Sequence, residues 1–94
     1  LKATEKERSG PFDDIPKSLP SLLAAYKTTK RAASLGFVAD AAEATAKVGD
    51  VLAGPLDTDA LGEALFWLVV AARAQGIDPE GALRRATAKF RDSL

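Results

Sequence analysis

Residues 57–90, DTDALGEALFWLVVAARAQGIDPEGALRRATAKF, hold two consecutive helical patterns that decide the fold class. In the first pattern, apolar residues recur at the spacing of one helix face: Leu61, Leu65, Leu68 and Ala72, widened by Phe66 and Val69. Gly76 is placed to end that helix, and Asp78 followed by Pro79 is a favourable start for the next one. The next helix is predicted to run to about Arg91, with three residues pointing inward: Leu83, Ala86 and Phe90.

The N-terminal part of the chain predicts a polar segment followed by a helix. Residues 1–17 are polar and interrupted by glycine and proline, which is typical of a linker or the tail of a preceding domain. A helix is predicted to begin at about Leu19, with Ser18 or Ser21 as its N-cap, and to end at Gly36. The predicted helical domain is therefore residues 18–94.

A further helix is predicted between these two regions. Asp40 and Glu43 have the spacing of a capping box, and the alanine-rich stretch after them stops at Gly54-Pro55. Asp57 or Thr58 then caps the helix of residues 57–76. No stretch alternates in the manner of a strand, so the sequence predicts an all-α fold, a small four-helix bundle.

Composition excludes several function classes. Thirteen basic residues balance thirteen acidic ones, so no overall field favours nucleic acid or anionic lipid as a partner. Without cysteine or histidine the chain lacks the usual ligands of zinc, and oxygen ligands would favour Mg²⁺, Mn²⁺ or Ca²⁺. No apolar run has membrane-spanning length, so a cytoplasmic location is expected. Because the chain begins at Leu1 and has no methionine, we expect it to be a fragment of a longer protein.

Two stretches of this sequence carry a family resemblance. Residues 12–37, FDDIPKSLPSLLAAYKTTKRAASLGF, and residues 59–90 resemble the MazG family of nucleoside triphosphate pyrophosphohydrolases in order and spacing. The first stretch is similar to the segment that leads into the second of two tandem domains. The resemblance implies an all-α, dimeric fold that hydrolyses nucleoside triphosphates to monophosphates and pyrophosphate with Mg²⁺, and an upstream MazG domain in the same chain.

The resemblance also implies carboxylate positions, which this sequence fills only in part. The family has Glu-Glu-x-x-Glu on one helix and Glu-x-x-Asp on the next. Of these positions, Asp50 and Glu63 are acidic here, whereas those matching the other glutamates are Val51, Gly54 and Ala60. The hairpin between the motifs is also shorter than in the family. Asp50 and Glu63 are thus the candidate metal ligands. Either they retain some affinity for a metal ion, or they are only solvated residues of the helix surface. No catalytic residue is assigned.

Lysines supply the candidate contacts to substrate phosphates. Lys89 matches a family lysine associated with the triphosphate, and Lys47 is the second candidate. Both are equally compatible with a solvated helix surface. The three cations of the first helix, Lys27, Lys30 and Arg31, have the same two interpretations: with Lys47 they line a phosphate approach, or they are ordinary solvated residues, which is the preferred interpretation. Phe66 and Trp67 are adjacent and cannot share one helix face. One is predicted to point inward, and the other to lie on a surface that a partner covers.

Two functions follow from the resemblance. In the first, this is a C-terminal MazG-like domain with a degenerate metal site, which serves for dimerisation and scaffolding and needs no cofactor of its own. In the alternative, it is a Mg²⁺-dependent pyrophosphohydrolase with a reduced site of Asp50 and Glu63, joined by Asp59. A nucleic-acid-binding module has no support, because no helix carries a dense basic stripe interleaved with aromatic residues.

Overall fold

A computed structural model of the chain describes residues 10–94. This part of the chain is all-helical and has no strand, which is consistent with an all-α bundle and confirms the all-α part of the prediction. Its four helices are α1 (Ser21–Ser34), α2 (Ala41–Leu52), α3 (Thr58–Ala74) and α4 (Pro79–Asp92). Of the predicted linker at residues 1–17, residues 1–9 lie outside the described part, and residues 10–17 form turns and bends ahead of α1.

Aspartates begin three of the four helices, as predicted. Asp40 and Glu43 form a complete capping box at α2, because the Asp40 carboxylate accepts the Glu43 N–H (2.7 Å) and the Glu43 carboxylate accepts the Asp40 N–H (2.9 Å). Asp57, rather than Thr58, caps α3 by accepting the backbone N–H three residues on (2.9 Å). Asp78 caps α4 by accepting the Glu80 N–H, two residues on, at 3.1 Å.

The start of α1 differs from the prediction. Its N-cap is Pro20, and neither Ser18 nor Ser21 accepts a capping hydrogen bond, so the serine cap was wrong. The reason is local: the proline ring holds φ at −54°, which sets the entry of the chain into the helix, and Ser21 is already the first helical residue. The Pro20 carbonyl accepts the first helical hydrogen bond, from Ala24 at 2.8 Å.

Glycines end α1 and α3, as the sequence predicts. Gly36 and Gly76 adopt left-handed φ values of 106° and 71°. The N–H of Phe37, which follows Gly36, reaches back to the Ala32 carbonyl at 2.9 Å, and the equivalent bond after Gly76 is 2.8 Å. Both ends are therefore Schellman motifs, which satisfy carbonyls that the helix itself leaves unpaired.

The central element of the fold is α3. It packs against all three other helices and most extensively against α2. Its Val70 and Ala71 are buried together with Ala44 of α2, and three partly buried residues pack around them: Phe37, Ala39 and Trp67. Trp67 is thus the inward member of the Phe66–Trp67 pair. Because the buried core consists mainly of alanine and valine, it is small even for a chain of this length.

The predicted apolar stripe of α3 is not the buried face. Leu61, Leu65 and Leu68 are 47%, 43% and 47% exposed, whereas the buried residues of α3 are Ala64, Val69, Val70 and Ala71. Of the predicted stripe and its flanks, only Val69 is fully buried. The prediction that the leucines line the core was therefore wrong for the single chain.

The direction of α4 explains this difference. The chain bends by 110° between α3 and α4, whereas neighbouring helices of an antiparallel bundle need a bend of about 160°. Consequently α4 lies across α3 instead of alongside it, and no residue of α4 is buried. Leu83 and Phe90, predicted inward, are 54% and 65% exposed.

No single helix within residues 10–94 is long and apolar enough to cross a membrane. The bent pair α3–α4 passes that test by length and composition alone.

Candidate functional site

The two candidate metal ligands lie on neighbouring helices. Asp50 belongs to the last turn of α2 and Glu63 to the second turn of α3, and both side chains are exposed. Within the described residues, no three acidic side chains lie close enough together to hold a metal ion jointly. A Mg²⁺ site that bridges to a triphosphate needs several convergent oxygens, so these two surface carboxylates do not fit the site that the resemblance implies.

The helix boundaries explain why the missing acids are not replaced by neighbours. Because α2 ends at Leu52, Gly54 lies beyond the helix, in the turn, and could not present a side chain on the same helix face as Asp50. On α3, Ala60 has no oxygen to offer beside Glu63. Asp57 is occupied as the N-cap of α3, and Asp59 lies exposed in its first turn, where an acid stabilises the positive end of the helix.

Lys47 lies over an aromatic ring. Its ammonium nitrogen is 5.6 Å from the centre of the Trp67 ring, within the range of a cation–π interaction. Trp67 also contacts Phe66 edge-on (ring centres 5.8 Å apart) and Phe37 at a tilt (6.3 Å). Lys47 is therefore held by the aromatic cluster that joins α2 to α3.

Lys89, the other candidate phosphate contact, lies on a different helix from Lys47. It is exposed in the last turn of α4, where a cation interacts favourably with the helix dipole. Among the described elements, α2 and α4 do not pack against each other. The structure thus does not bring together the two lysines that the sequence suggested for one phosphate site.

An open cavity beside α1 joins the three cations that the sequence groups on this helix to apolar residues that it does not. Its volume is about 520 Å³, and its lining includes Ile15, Pro16, Leu19, Lys27, Lys30 and Arg31. Arg31 donates to the Asp14 carboxylate and to the Pro11 carbonyl (2.7 Å), which draws the segment before α1 over the helix. The sequence signal was the Lys-x-x-Lys-Arg spacing of α1; the apolar wall was not predicted. We call this site the α1 cavity.

A second concave surface is apolar. Two adjoining cavities, of about 250 and 240 Å³, share Leu22, Leu65 and Val69 and lie between α1, α3 and α4. We call this surface the apolar groove, defined by six residues: Leu22, Leu65, Phe66, Leu68, Ile77 and Leu83. It exists because α4 turns away from the leucine face of α3, and most of these side chains are about half exposed.

Comparison with known proteins places one relative beside this chain. No protein-family model matches it. The chain is 33% identical over 94 residues to the "Uncharacterized 26.1 kDa protein in blaB 3'region" of Streptomyces cacaoi. The match covers 99% of this chain and 34% of the relative, so the chain spans about a third of that protein's length. The relative's description assigns no function.

Proposed function

We propose that this chain is a MazG-like helical domain with a degenerate metal site, which pairs with a second copy of itself and scaffolds a catalytic domain elsewhere in a longer protein. The observation that carries the proposal is the apolar groove: a face with the helical periodicity of a core that the single chain leaves open. A second copy that covers the groove would bury these leucines, as their helical spacing predicts.

The size of the open face favours a second copy as its occupant. Seven large side chains lie along it, each between 37% and 65% exposed: Leu61, Leu65, Phe66, Leu68, Ile77, Leu83 and Phe90. Together they expose roughly 600 Å² of mainly apolar surface, which approaches the 800 Å² or so that each partner buries in a standard interface. An apolar patch this large is at the upper end of what stable monomers show.

The geometry of the face also suits self-association. A two-fold symmetric interface requires one surface that is complementary to itself. The groove between the leucine face of α3 and the inner face of α4 supplies both a concavity and, in α4, a projecting helix with Leu83 and Phe90 on one side. We propose that α4 of each copy enters the groove of the other.

The distribution of acids supports the non-catalytic part of the proposal. Asp50 and Glu63 are exposed and are not joined by further carboxylates from the described residues. Without several convergent carboxylates, neither the charge of a triphosphate nor the pKa of an attacking water is controlled by a bound Mg²⁺. The upstream domain would then supply the chemistry.

The pairing is tested by measuring the mass of the chain in solution by sedimentation velocity. We expect a dimer for the unmodified chain and a monomer for the double variant Leu65→Glu/Leu68→Glu, because two carboxylates in the groove cannot be buried without partners. The matched control is Leu52→Glu, which changes an equally exposed leucine of α2 outside the groove and should leave the dimer intact. A monomeric unmodified chain, or dissociation by the control as well, would refute the pairing.

The catalytic part is tested separately by pyrophosphate release with Mg²⁺ and a panel of nucleoside triphosphates. We expect no turnover above that of a buffer blank. Turnover that Asp50→Ala or Glu63→Ala abolishes would instead establish the alternative, an active enzyme with a reduced site. Turnover that survives both substitutions would also contradict the expected result and would place the active residues elsewhere in the chain.

A further inference from the structure

We infer that the α1 cavity binds a small organic phosphate, with Lys27 and Lys30 on the phosphate and the wall of Ile15, Pro16 and Leu19 against the apolar part of the ligand. This site shares no residue with the apolar groove or with the candidate metal ligands. The inference is therefore independent of the proposed function.

The charge of the cavity differs from that of the chain. Lys27, Lys30 and Arg31 occupy positions i, i+3 and i+4 of α1, so their side chains leave the same face of the helix. Asp14 is the one acidic residue in the lining, which leaves a local excess of positive charge in a chain whose formal net charge is zero. A concave surface with an excess of one sign raises the local concentration of ions of the opposite sign.

Arg31 has a structural role in this cavity. Its guanidinium is bound to Asp14 and to the Pro11 carbonyl, and these contacts hold the segment before α1 against the helix. The described residues offer no such ion pair to Lys27 or Lys30, both of which are exposed at the cavity. The two lysines are thus the groups available to an anion, and Arg31 is the residue that shapes the site.

The helix dipole does not account for this arrangement. A cation is favoured in the last turn of a helix, and Arg31 lies there. Lys27 lies about two turns before the end of α1 at Ser34, where the effect of the dipole has faded. Moreover, the dipole explains charge at a helix end but not a concave space beside it.

The wall of the cavity argues for an organic phosphate over a bare ion. Ile15 and Leu19 are half-buried, and with Pro16 they form the apolar part of the lining. A volume of about 520 Å³ lies within the usual range of small-molecule sites and is far larger than a phosphate ion needs. Such a pocket combines a positive charge that orients the ligand with apolar surface that adds affinity. The ligand that matches both is a phosphate monoester with a compact apolar group.

The test is a titration of the chain with phenyl phosphate and, separately, with inorganic phosphate, followed by amide chemical shifts in two-dimensional NMR. We expect saturable binding of phenyl phosphate, at least about tenfold tighter than that of inorganic phosphate, with shifts at residues 14–19 and 27–34. Lys27→Gln/Lys30→Gln should weaken phenyl phosphate binding by about tenfold or more. Leu19→Ala should reduce the preference for phenyl phosphate over inorganic phosphate.

The matched control is Arg84→Gln/Arg85→Gln, which removes two cations from α4 and should leave the dissociation constant unchanged. Circular dichroism of each variant establishes that the helices are retained. Three results would overturn the inference: no saturation by phenyl phosphate at millimolar concentration, equal affinity for the two probes, or equal weakening by the α1 and α4 pairs. Shifts confined to residues outside the α1 cavity would overturn it as well.

Discussion

Lys47 shows how a residue that suits a phosphate by its type can serve the fold instead. Its ammonium lies over the Trp67 ring at 5.6 Å, so its charge interacts with an aromatic face at the junction of α2 and α3. Trp67 in turn packs against the small core of Ala44, Val70 and Ala71. A cation held in this way stabilises the helix pair that forms most of the tertiary contact in the fold.

Replacement of Lys47 is expected to cost stability. Lys47→Gln should lower the free energy of unfolding by about 0.5–1 kcal/mol, the usual size of an exposed cation–π interaction, and Lys47→Arg should retain most of it. Urea unfolding followed by Trp67 fluorescence measures both. Lys27→Gln is the control and should change the free energy of unfolding by less than half as much, because Lys27 is exposed in the middle of α1, away from the helix ends. Equal losses for the two lysines would contradict the assignment.

At the scale of the element, α2 depends on its capping box. Glycine at position 49 lies inside this short helix, which lowers its intrinsic stability, and only Ala44 among its residues is buried. The reciprocal hydrogen bonds of Asp40 and Glu43 satisfy backbone donors at the helix start. Much of the local stability of α2 thus lies at its first turn.

Removal of this cap is expected to destabilise the chain. Asp40→Ala should lower the free energy of unfolding by about 1 kcal/mol, because the backbone donor at Glu43 loses its acceptor. Asp92→Ala is the matched control: it removes an aspartate from the last turn of α4, where a negative charge is unfavourable, and should cause no loss. Chemical denaturation gives both values, and an Asp40→Ala variant as stable as the unmodified chain would show that the cap contributes nothing.

At the scale of the whole molecule, α4 adds little to the packing of the described residues. It has no buried residue and lies across α3 at a bend of 110°. The buried core consists of a few alanine and valine side chains from the other helices. The described chain thus buries little apolar surface by itself, so pairing would contribute much of its stability.

The stability of a paired chain depends on its concentration. We expect the midpoint of thermal unfolding to rise with protein concentration. Each tenfold increase in concentration favours the folded dimer by about 1.4 kcal/mol per mole of dimer. Scanning calorimetry over a hundredfold range tests this. The groove variant Leu65→Glu/Leu68→Glu should have a midpoint independent of concentration. A concentration-independent midpoint for the unmodified chain would argue for a folded monomer.

What the sequence predicted well was local. The caps at Asp40, Asp57 and Asp78 and the glycine ends depend on contacts within a few residues, so they can be predicted from spacing alone. The buried face of α3 was predicted wrongly because helical periodicity identifies an apolar face without saying which neighbour covers it. That depends on the direction of α4, which is a tertiary property.

The candidate sites divide in the same way. The scarcity of acids around Asp50 and Glu63 follows from the residue types at neighbouring positions, which the sequence states directly. Lys47 and Trp67 are twenty residues apart along the chain, and their contact depends on the packing of α2 against α3. The α1 cavity likewise requires Arg31 to reach back to Pro11 and Asp14, a contact that no local pattern predicts.

The connection at Gly76 has one more consequence. The left-handed turn at this glycine sets the direction of α4, and α4 has no buried residue in its own chain. A helix attached in this manner can be exchanged between two copies by domain swapping, so that α4 of each copy packs on the other. The short connection at Gly76, which leaves α4 without buried residues in one chain, would then be what allows α4 to be buried in a dimer.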